Sequence, residues 1–155
     1  MRAYPLLAFW AFLSGAGIPL IGVLNSGIAR SVGNPFAANA IMFAVALLLA
    51  AGITVPLYGL PSGAQLAAAP WPSYGAGLII GFYAISATII IPRMGTASFI
   101  AFVLIAQLLT SALVDQFGLF GMLRRPLDLT RLIGLGAIAA GIMVMEIGNL
   151  RNLKS

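Results

Sequence analysis

The sequence contains no cysteine and no histidine, and only 7% of its 155 residues are charged. Without cysteine the chain has neither disulfides nor thiol chemistry. The absence of both residues removes the usual ligands of zinc, haem and iron–sulfur clusters. Histidine is also the side chain best suited to proton transfer near neutral pH. We therefore expect no metal and no cofactor.

Charge of either sign is scarce and unevenly placed. The chain has three acids and eight bases, and no formal charge lies between Arg30 and Arg93. A soluble domain carries about 25% charged residues, whereas this chain is 61% hydrophobic. The composition therefore indicates an integral membrane protein. Its bases form no stripe, so we expect contacts with the lipid bilayer and its headgroups, and no nucleic-acid partner.

Five apolar runs are long enough to cross a hydrocarbon core of about 30 Å as helices. None shows the alternation of a β-strand. The sequence thus predicts an all-α integral membrane protein, with residues 1–155 forming a single five-span domain. The predicted spans are residues 5–28, 35–55, 73–91, 96–114 and 132–150.

The bases are balanced between the two sides of the membrane. Five spans place the N-terminus and the 57–72 and 115–131 loops on one side, and the 29–34 and 92–95 connections and the C-terminus on the other. One side then carries Arg2, Arg124, Arg125 and Arg131, and the other carries Arg30, Arg93, Arg151 and Lys154. The positive-inside rule acts through a difference between sides. The balance favours insertion in both orientations, and the alternative is a single orientation fixed by one charge near the first span.

Two oppositely oriented copies would form a ten-helix bundle with inverted repeats. Transporters of that design bind their substrate near the midplane, where the repeats meet. One chain of five helices has little room for an enclosed pathway. We therefore expect an antiparallel homodimer.

Two segments carry a resemblance to a known family. GIPLIGVLNSGIARSVGNPFAANAI and PRMGTASFIAFVLIAQLLTSALVDQFGLFG, followed by Arg131 and Gly134, resemble the YdcZ-like five-helix members of the drug/metabolite transporter superfamily. The resemblance implies a multi-pass protein of the bacterial inner membrane that exports a small-molecule substrate. It also implies antiparallel homodimers or paired chains, and it supplies no particular substrate.

The small multidrug resistance proteins, a neighbouring family, couple protons to cationic drugs through a glutamate in the first helix. The first span of this chain has no acid. We therefore do not expect this chain to use that proton-coupling mechanism.

Two amides on different helices, Asn25 and Gln107, are the predicted substrate contacts, because an amide both donates and accepts hydrogen bonds. The structural alternative is a hydrogen bond between helices, worth about 0.6 kcal/mol on average. Tyr83 and Trp10 are candidates for lining the substrate cavity of the predicted dimer, and the alternative for both is ordinary aromatic packing.

Ionisable residues at membrane depth are candidates for gating or coupling. Asp115 ends the fourth span, where it needs a positive partner from Arg124, Arg125 or Arg131, and a structural salt bridge is the alternative to a gate. Glu146 lies inside the fifth apolar run. The alternative to a coupling role is a structural one, in which its carboxylate reaches the membrane–water interface or pairs with Arg151. Arg93 is a candidate for neutralising an anion, and headgroup anchoring is its alternative.

Two glycine patterns predict close helix packing. Gly77 and Gly81 form a GxxxG pattern, and Gly134, Gly141 and Gly148 recur every seven residues on one helix face. A second hypothesis is that the chain is a non-transporting membrane subunit that assembles with a larger partner. The glycine stripe on the fifth span would then be its docking face. Enzymatic activity is not expected, because no catalytic constellation can be assembled from these residues at depth.

Overall fold

The computed structural model describes residues 4–152, and among them it contains six α-helices joined by short connections and two 3₁₀ turns. Arg2 and Lys154, which enter the charge balance, lie outside the described residues. The helices are α1 (Tyr4–Val32), α2 (Pro35–Tyr58), α3 (Gly63–Ala68), α4 (Ala76–Met94), α5 (Thr96–Phe117) and α6 (Leu129–Asn152).

Five helical stretches are long and apolar enough to cross a membrane: α1, α2, Trp71–Met94, α5 and Leu129–Arg151. The predicted all-helical class with five candidate spans is confirmed.

Several boundaries differ from those in the sequence analysis. Helix α2 continues through Pro56 to Tyr58, and the 57–72 loop contains α3, which begins with a reciprocal capping box between Ser62 and Gln65. Pro92 is inside α4, so that the turn before α5 narrows to Gly95. The backbone φ of Gly95 is 85°, a conformation that residues with a Cβ rarely adopt.

Contacts divide the chain into two compact units, Met1–Met94 and Gly95–Ser155. Their association in one five-span domain stays a prediction. In the first unit α1, α2 and α4 pack against one another in all three pairs. A Cβ placed on Gly22 of α1 would lie 3.2 Å from the Cβ of Ala87 and would collide with Ile91 Cδ1. Gly22 therefore permits the close approach of α1 and α4.

In the second unit α5 packs against α6. Polar pairs lie at both ends of this contact: Arg131 binds Asp115 at 2.7 Å, and Asn149 Nδ2 donates to Ser98 Oγ at 3.3 Å. A gap between the two helices is lined by apolar side chains and has a volume of about 20 Å³. That volume admits little more than one water molecule, so this helix pair encloses no room for a solute.

Candidate functional site

Three polar side chains meet inside the first unit, one from each of its long helices. Asn25 Nδ2 of α1 donates to Thr88 Oγ1 of α4 at 2.8 Å, and Asn39 Nδ2 of α2 donates to the same oxygen at 3.1 Å. Asn25 and Asn39 are each 2% exposed, and Thr88 is 3% exposed. We call these three residues the amide cluster. The interior of this apolar helix group is therefore polar where its helices meet.

The hydrogen bonds fix the orientation of both amides. Thr88 Oγ1 donates its one proton to Ala84 O at 2.8 Å, so that toward the two amides it can only accept. Asn39 Nδ2 also donates to Pro35 O at 2.8 Å, and a carbonyl oxygen likewise only accepts. The carbonyl oxygens of both amides must face elsewhere, and neither Asn25 Oδ1 nor Asn39 Oδ1 has a partner among the described residues.

Buried acceptors without partners are rare and costly. Because two such acceptors belong to one cluster, the amide cluster has unused hydrogen-bonding capacity. A donor from water, a solute or another chain would stabilise it.

The amide cluster lies nearer one end of α1 than its middle. Asn25 is 21 residues after Tyr4 and 7 residues before Val32. At 1.5 Å per residue, it lies about 10 Å from that end of the helix. The same end of the unit contains the α1–α2 connection and the end of α4, because both line one pocket.

That pocket is open to the outside and has a volume of about 270 Å³. Its wall includes Ser26, Arg30, Gly33, Thr88 and Arg93, so it reaches the amide cluster through Thr88. Ser26 Oγ donates to Val23 O at 2.7 Å, and Arg30 Nη1 makes a long contact of 3.5 Å with Ser26 Oγ. The pocket is therefore basic at its mouth, and its otherwise largely apolar wall carries the hydroxyl groups of Ser26 and Thr88.

A second polar surface lies on α5. Gln107, Thr110 and Ser111 are spaced three and four residues apart, which places them on one helix face, and all three are exposed. Ser111 Oγ donates to Leu108 O at 3.0 Å, whereas no hydrogen bond within residues 4–152 involves the side chain of Gln107. We call these three residues the α5 polar face. Gln107 is 11 residues from the start of α5 and 10 from its end, at the middle of a candidate span.

The predicted substrate contacts occupy separate places. Asn25 and Trp10 are 15 residues apart on α1, about 22 Å along the helix axis, too far for both side chains of one chain to touch the same small molecule. Trp10 is exposed, whereas Tyr83 on α4 is half-buried. Gln107 belongs to the second unit. Only Asn25 lies in a buried polar cluster.

The three acids all have partners in the second unit. Arg131 pairs with Asp115. This pair is the structural salt bridge that the sequence analysis named as the alternative to a gating role for Asp115. Asp128 Oδ1 accepts from Arg131 N at 2.7 Å and so caps α6. Glu146 Oε1 accepts from Asn149 Nδ2 at 3.1 Å. No three acids, histidines or cysteines among residues 4–152 group as metal ligands.

The glycine patterns face open space within the chain. A Cβ on Gly77, Gly81, Gly134, Gly141 or Gly148 would meet no atom within 4 Å. Helix α6 turns a different face to α5, and the less exposed residues of that face are Arg131, Leu135, Ala139, Ile142, Glu146 and Asn149. The predicted packing role of these glycines thus stays a prediction, and it concerns contacts with another helix or chain.

Three residues of the pocket and cluster were missed as site residues: Arg30, Asn39 and Thr88. Asn39 had a signal, because it is the one strongly polar side chain of its span. A lone amide in an apolar helix needs a partner on another helix. Thr88 gave no comparable signal, because hydroxyls are common in membrane helices and satisfy themselves on their own backbone.

In a comparison with known protein families, residues 6–144 match the family model described as "Putative inner membrane exporter, YdcZ". No curated protein and no solved structure matches the chain.

Proposed function

Because the chain belongs to this YdcZ family of inner-membrane exporters, we propose that it is a secondary transporter that exports a small molecule as a dual-topology antiparallel homodimer. Family membership and the five candidate spans make it a multi-pass protein of the inner membrane. The dimer, its dual topology and alternating access are the content of the proposal.

The observation that carries the proposal is the α5 polar face. An amide without a partner in a hydrocarbon environment costs several kcal/mol by transfer measurements. Gln107 is exposed at mid-helix beside the exposed hydroxyls of Thr110 and Ser111, whereas most other exposed side chains of this span are apolar. A second copy that covers this face would enclose polar surface between two chains, as a solute pathway requires.

The amide cluster supplies an element that can change between states. It joins three helices through one hydroxyl, and it contains two acceptors without partners. A solute or water that donates to these oxygens would favour an arrangement in which the helices separate. Alternating access in the dimer would then exchange the closed and opened forms of this cluster between the two copies.

Dual topology is tested by labelling single cysteines in this cysteine-free chain. Ala69→Cys lies in the loop that contains α3, and Ser31→Cys lies at the end of α1. The predicted order of spans places these two positions on opposite sides of the membrane. Intact cells are treated with an impermeant thiol reagent. We expect about half of each variant to be labelled from outside. Full labelling of one variant with none of the other would mean a single orientation.

The role of the α5 polar face is tested by Gln107→Ala. Phe102→Ala is a matched control, because Phe102 is 54% exposed and lies about 140° around the same helix. Mass spectrometry compares the solutes exported into the medium by cells expressing each variant. We expect Gln107→Ala to reduce the export seen with the unmodified chain and Phe102→Ala to retain it. Equal export by both variants would remove Gln107 from the pathway.

The open glycine stripe on α6 favours a second candidate, a non-transporting subunit of a larger complex. Gly134, Gly141 and Gly148 have open space around them, and such a surface suits close helix contact. Purification in mild detergent distinguishes the two functions. A stable homodimer without other subunits supports the transporter, whereas stoichiometric recovery of a different protein supports the subunit.

A further inference from the structure

The pocket at the end of the first unit has an unbalanced charge. Arg30 lies in the last turn of α1 and Arg93 in the last turn of α4, and both line the same pocket. Residues 1–94 contain no aspartate and no glutamate. The three acids of the chain have partners within the second unit. Two guanidinium groups therefore share a pocket with no carboxylate from their own unit.

Helix dipoles remove only part of this positive charge. The C-terminal ends of α1 and α4 each present about half a negative charge, and the N-terminal end of α2, which begins at Pro35 in the same wall, presents about half a positive charge. The two arginines thus leave the pocket with more than one net positive charge. Complementing the helix ends does not by itself explain both arginines.

The hydrogen-bond donors of the pocket are the guanidinium groups. Ser26 and Thr88 give their hydroxyl protons to carbonyl oxygens of their own helices. The Arg30 side chain makes the one long contact with Ser26, and no hydrogen bond or ion pair within residues 4–152 involves the side chain of Arg93. Planar guanidinium donors match the oxygen pairs of carboxylate and phosphate groups.

From this arrangement we propose that Arg30 and Arg93 form a binding site for one anionic group, a phosphate or a carboxylate. A volume of about 270 Å³ lies just below the usual range of ligand pockets, about 300–1,000 Å³. The site therefore fits a small anion or the phosphate of a lipid headgroup rather than a large solute. Its inner wall leads through Thr88 to the amide cluster, so that bound anions lie beside the junction of three helices.

The site is tested by titrating two probes into the purified full-length chain in a neutral detergent. One probe is sodium phosphate at constant ionic strength, and the other is phosphatidylglycerol, with phosphatidylcholine as its uncharged comparison. Isothermal titration calorimetry gives the dissociation constants. The variants are Arg30→Gln and Arg93→Gln. Arg151→Gln is the matched control, because Arg151 also lies in the last turn of a spanning helix.

We expect each pocket variant to weaken binding at least about tenfold, the loss of a charge-assisted hydrogen bond, while Arg151→Gln leaves it unchanged. If phosphate binding is weakened by the pocket variants and not by Arg151→Gln, the ligand of the site is a soluble anion. If only phosphatidylglycerol binding responds in this way, the ligand is a lipid headgroup. Absence of binding by both probes, or equal affinity in the pocket variants, overturns the site.

A second pair of variants keeps the test decisive if the glutamine variants fail to fold. Arg30→Lys and Arg93→Lys keep the charge and lose the planar fork, and we expect binding weakened several-fold. Unchanged affinity in both would overturn the proposal. These titrations measure binding without transport, so the anion site and the exporter function can each fail while the other stands.

Discussion

Replacing Thr88 by valine would remove the oxygen that joins three helices while keeping the shape of the side chain. Valine has the same branching as threonine and no hydroxyl. Asn25 Nδ2 would lose its one partner, because Thr88 Oγ1 is the acceptor that it has among the described residues. Asn39 Nδ2 would keep Pro35 O. The substitution thus leaves one buried donor without any acceptor.

The size of the effect follows from two measured scales. Hydrogen bonds between membrane helices average about 0.6 kcal/mol and reach about 1.7 kcal/mol, and Thr88→Val removes two of them. A buried donor left without a partner costs about 1–3 kcal/mol. We therefore expect a loss of about 1–3 kcal/mol in the free energy of unfolding. That loss is a change of about 5- to 150-fold in the unfolding equilibrium constant.

The assay is reversible unfolding of the purified chain in mixed micelles, followed by circular dichroism at increasing mole fraction of dodecyl sulfate. Thr54→Val is the matched control, because Thr54 is exposed on α2 and such substitutions usually change stability by less than about 0.5 kcal/mol. Thr88→Ser keeps the hydroxyl and should retain most of the stability. Equal stability of Thr88→Val and Thr54→Val would refute the reasoning.

Two further predictions follow from packing and from the ion pair of the second unit. Gly22→Leu places a side chain against Ile91 where α1 meets α4, so we expect a loss of about 1–3 kcal/mol in the same unfolding assay. Gly15→Leu, which has open space, should change little, and equal effects would contradict the close approach. Asp115 and Arg131 are paired but remain about one-third exposed. A double-mutant cycle with Asp115→Asn and Arg131→Gln should therefore give a coupling energy of about 0.2–1 kcal/mol, and a coupling indistinguishable from zero would contradict the pair.

The sequence predicted much of the fold because membrane insertion depends on local composition. Each span is a continuous apolar run, and its length against the hydrocarbon thickness can be counted residue by residue. Local chemistry also indicated Arg131 as one of three possible partners for Asp115. Choosing Arg131 over Arg124 and Arg125 required the fold of the 118–128 connection, in which Arg124 instead donates to Gln116 O at 3.1 Å.

The candidate site was only partly predictable, because the spans are apolar on nearly every face. A helix with one apolar stripe shows from sequence which side it buries, whereas Asn25, Asn39 and Thr88 lie in helices without such a stripe. Which polar residues meet then depends on the rotation and crossing of the helices. Sequence reasoning selected Asn25 and Gln107 as substrate contacts, which stays a prediction. It did not indicate that Asn25 lies with Asn39 and Thr88 in the first unit.

The sequence by itself determined the class of the protein: a membrane protein of five apolar helices with balanced positive charge and neither cysteine nor histidine. These properties can be read from the overall composition and from the hydropathy of short stretches of sequence. Only the tertiary structure decided which polar atoms pair, which two arginines share a pocket and which glycines remain uncovered. Those features depend on distances between helices far apart in the chain, and such distances are set by side-chain packing rather than by hydropathy.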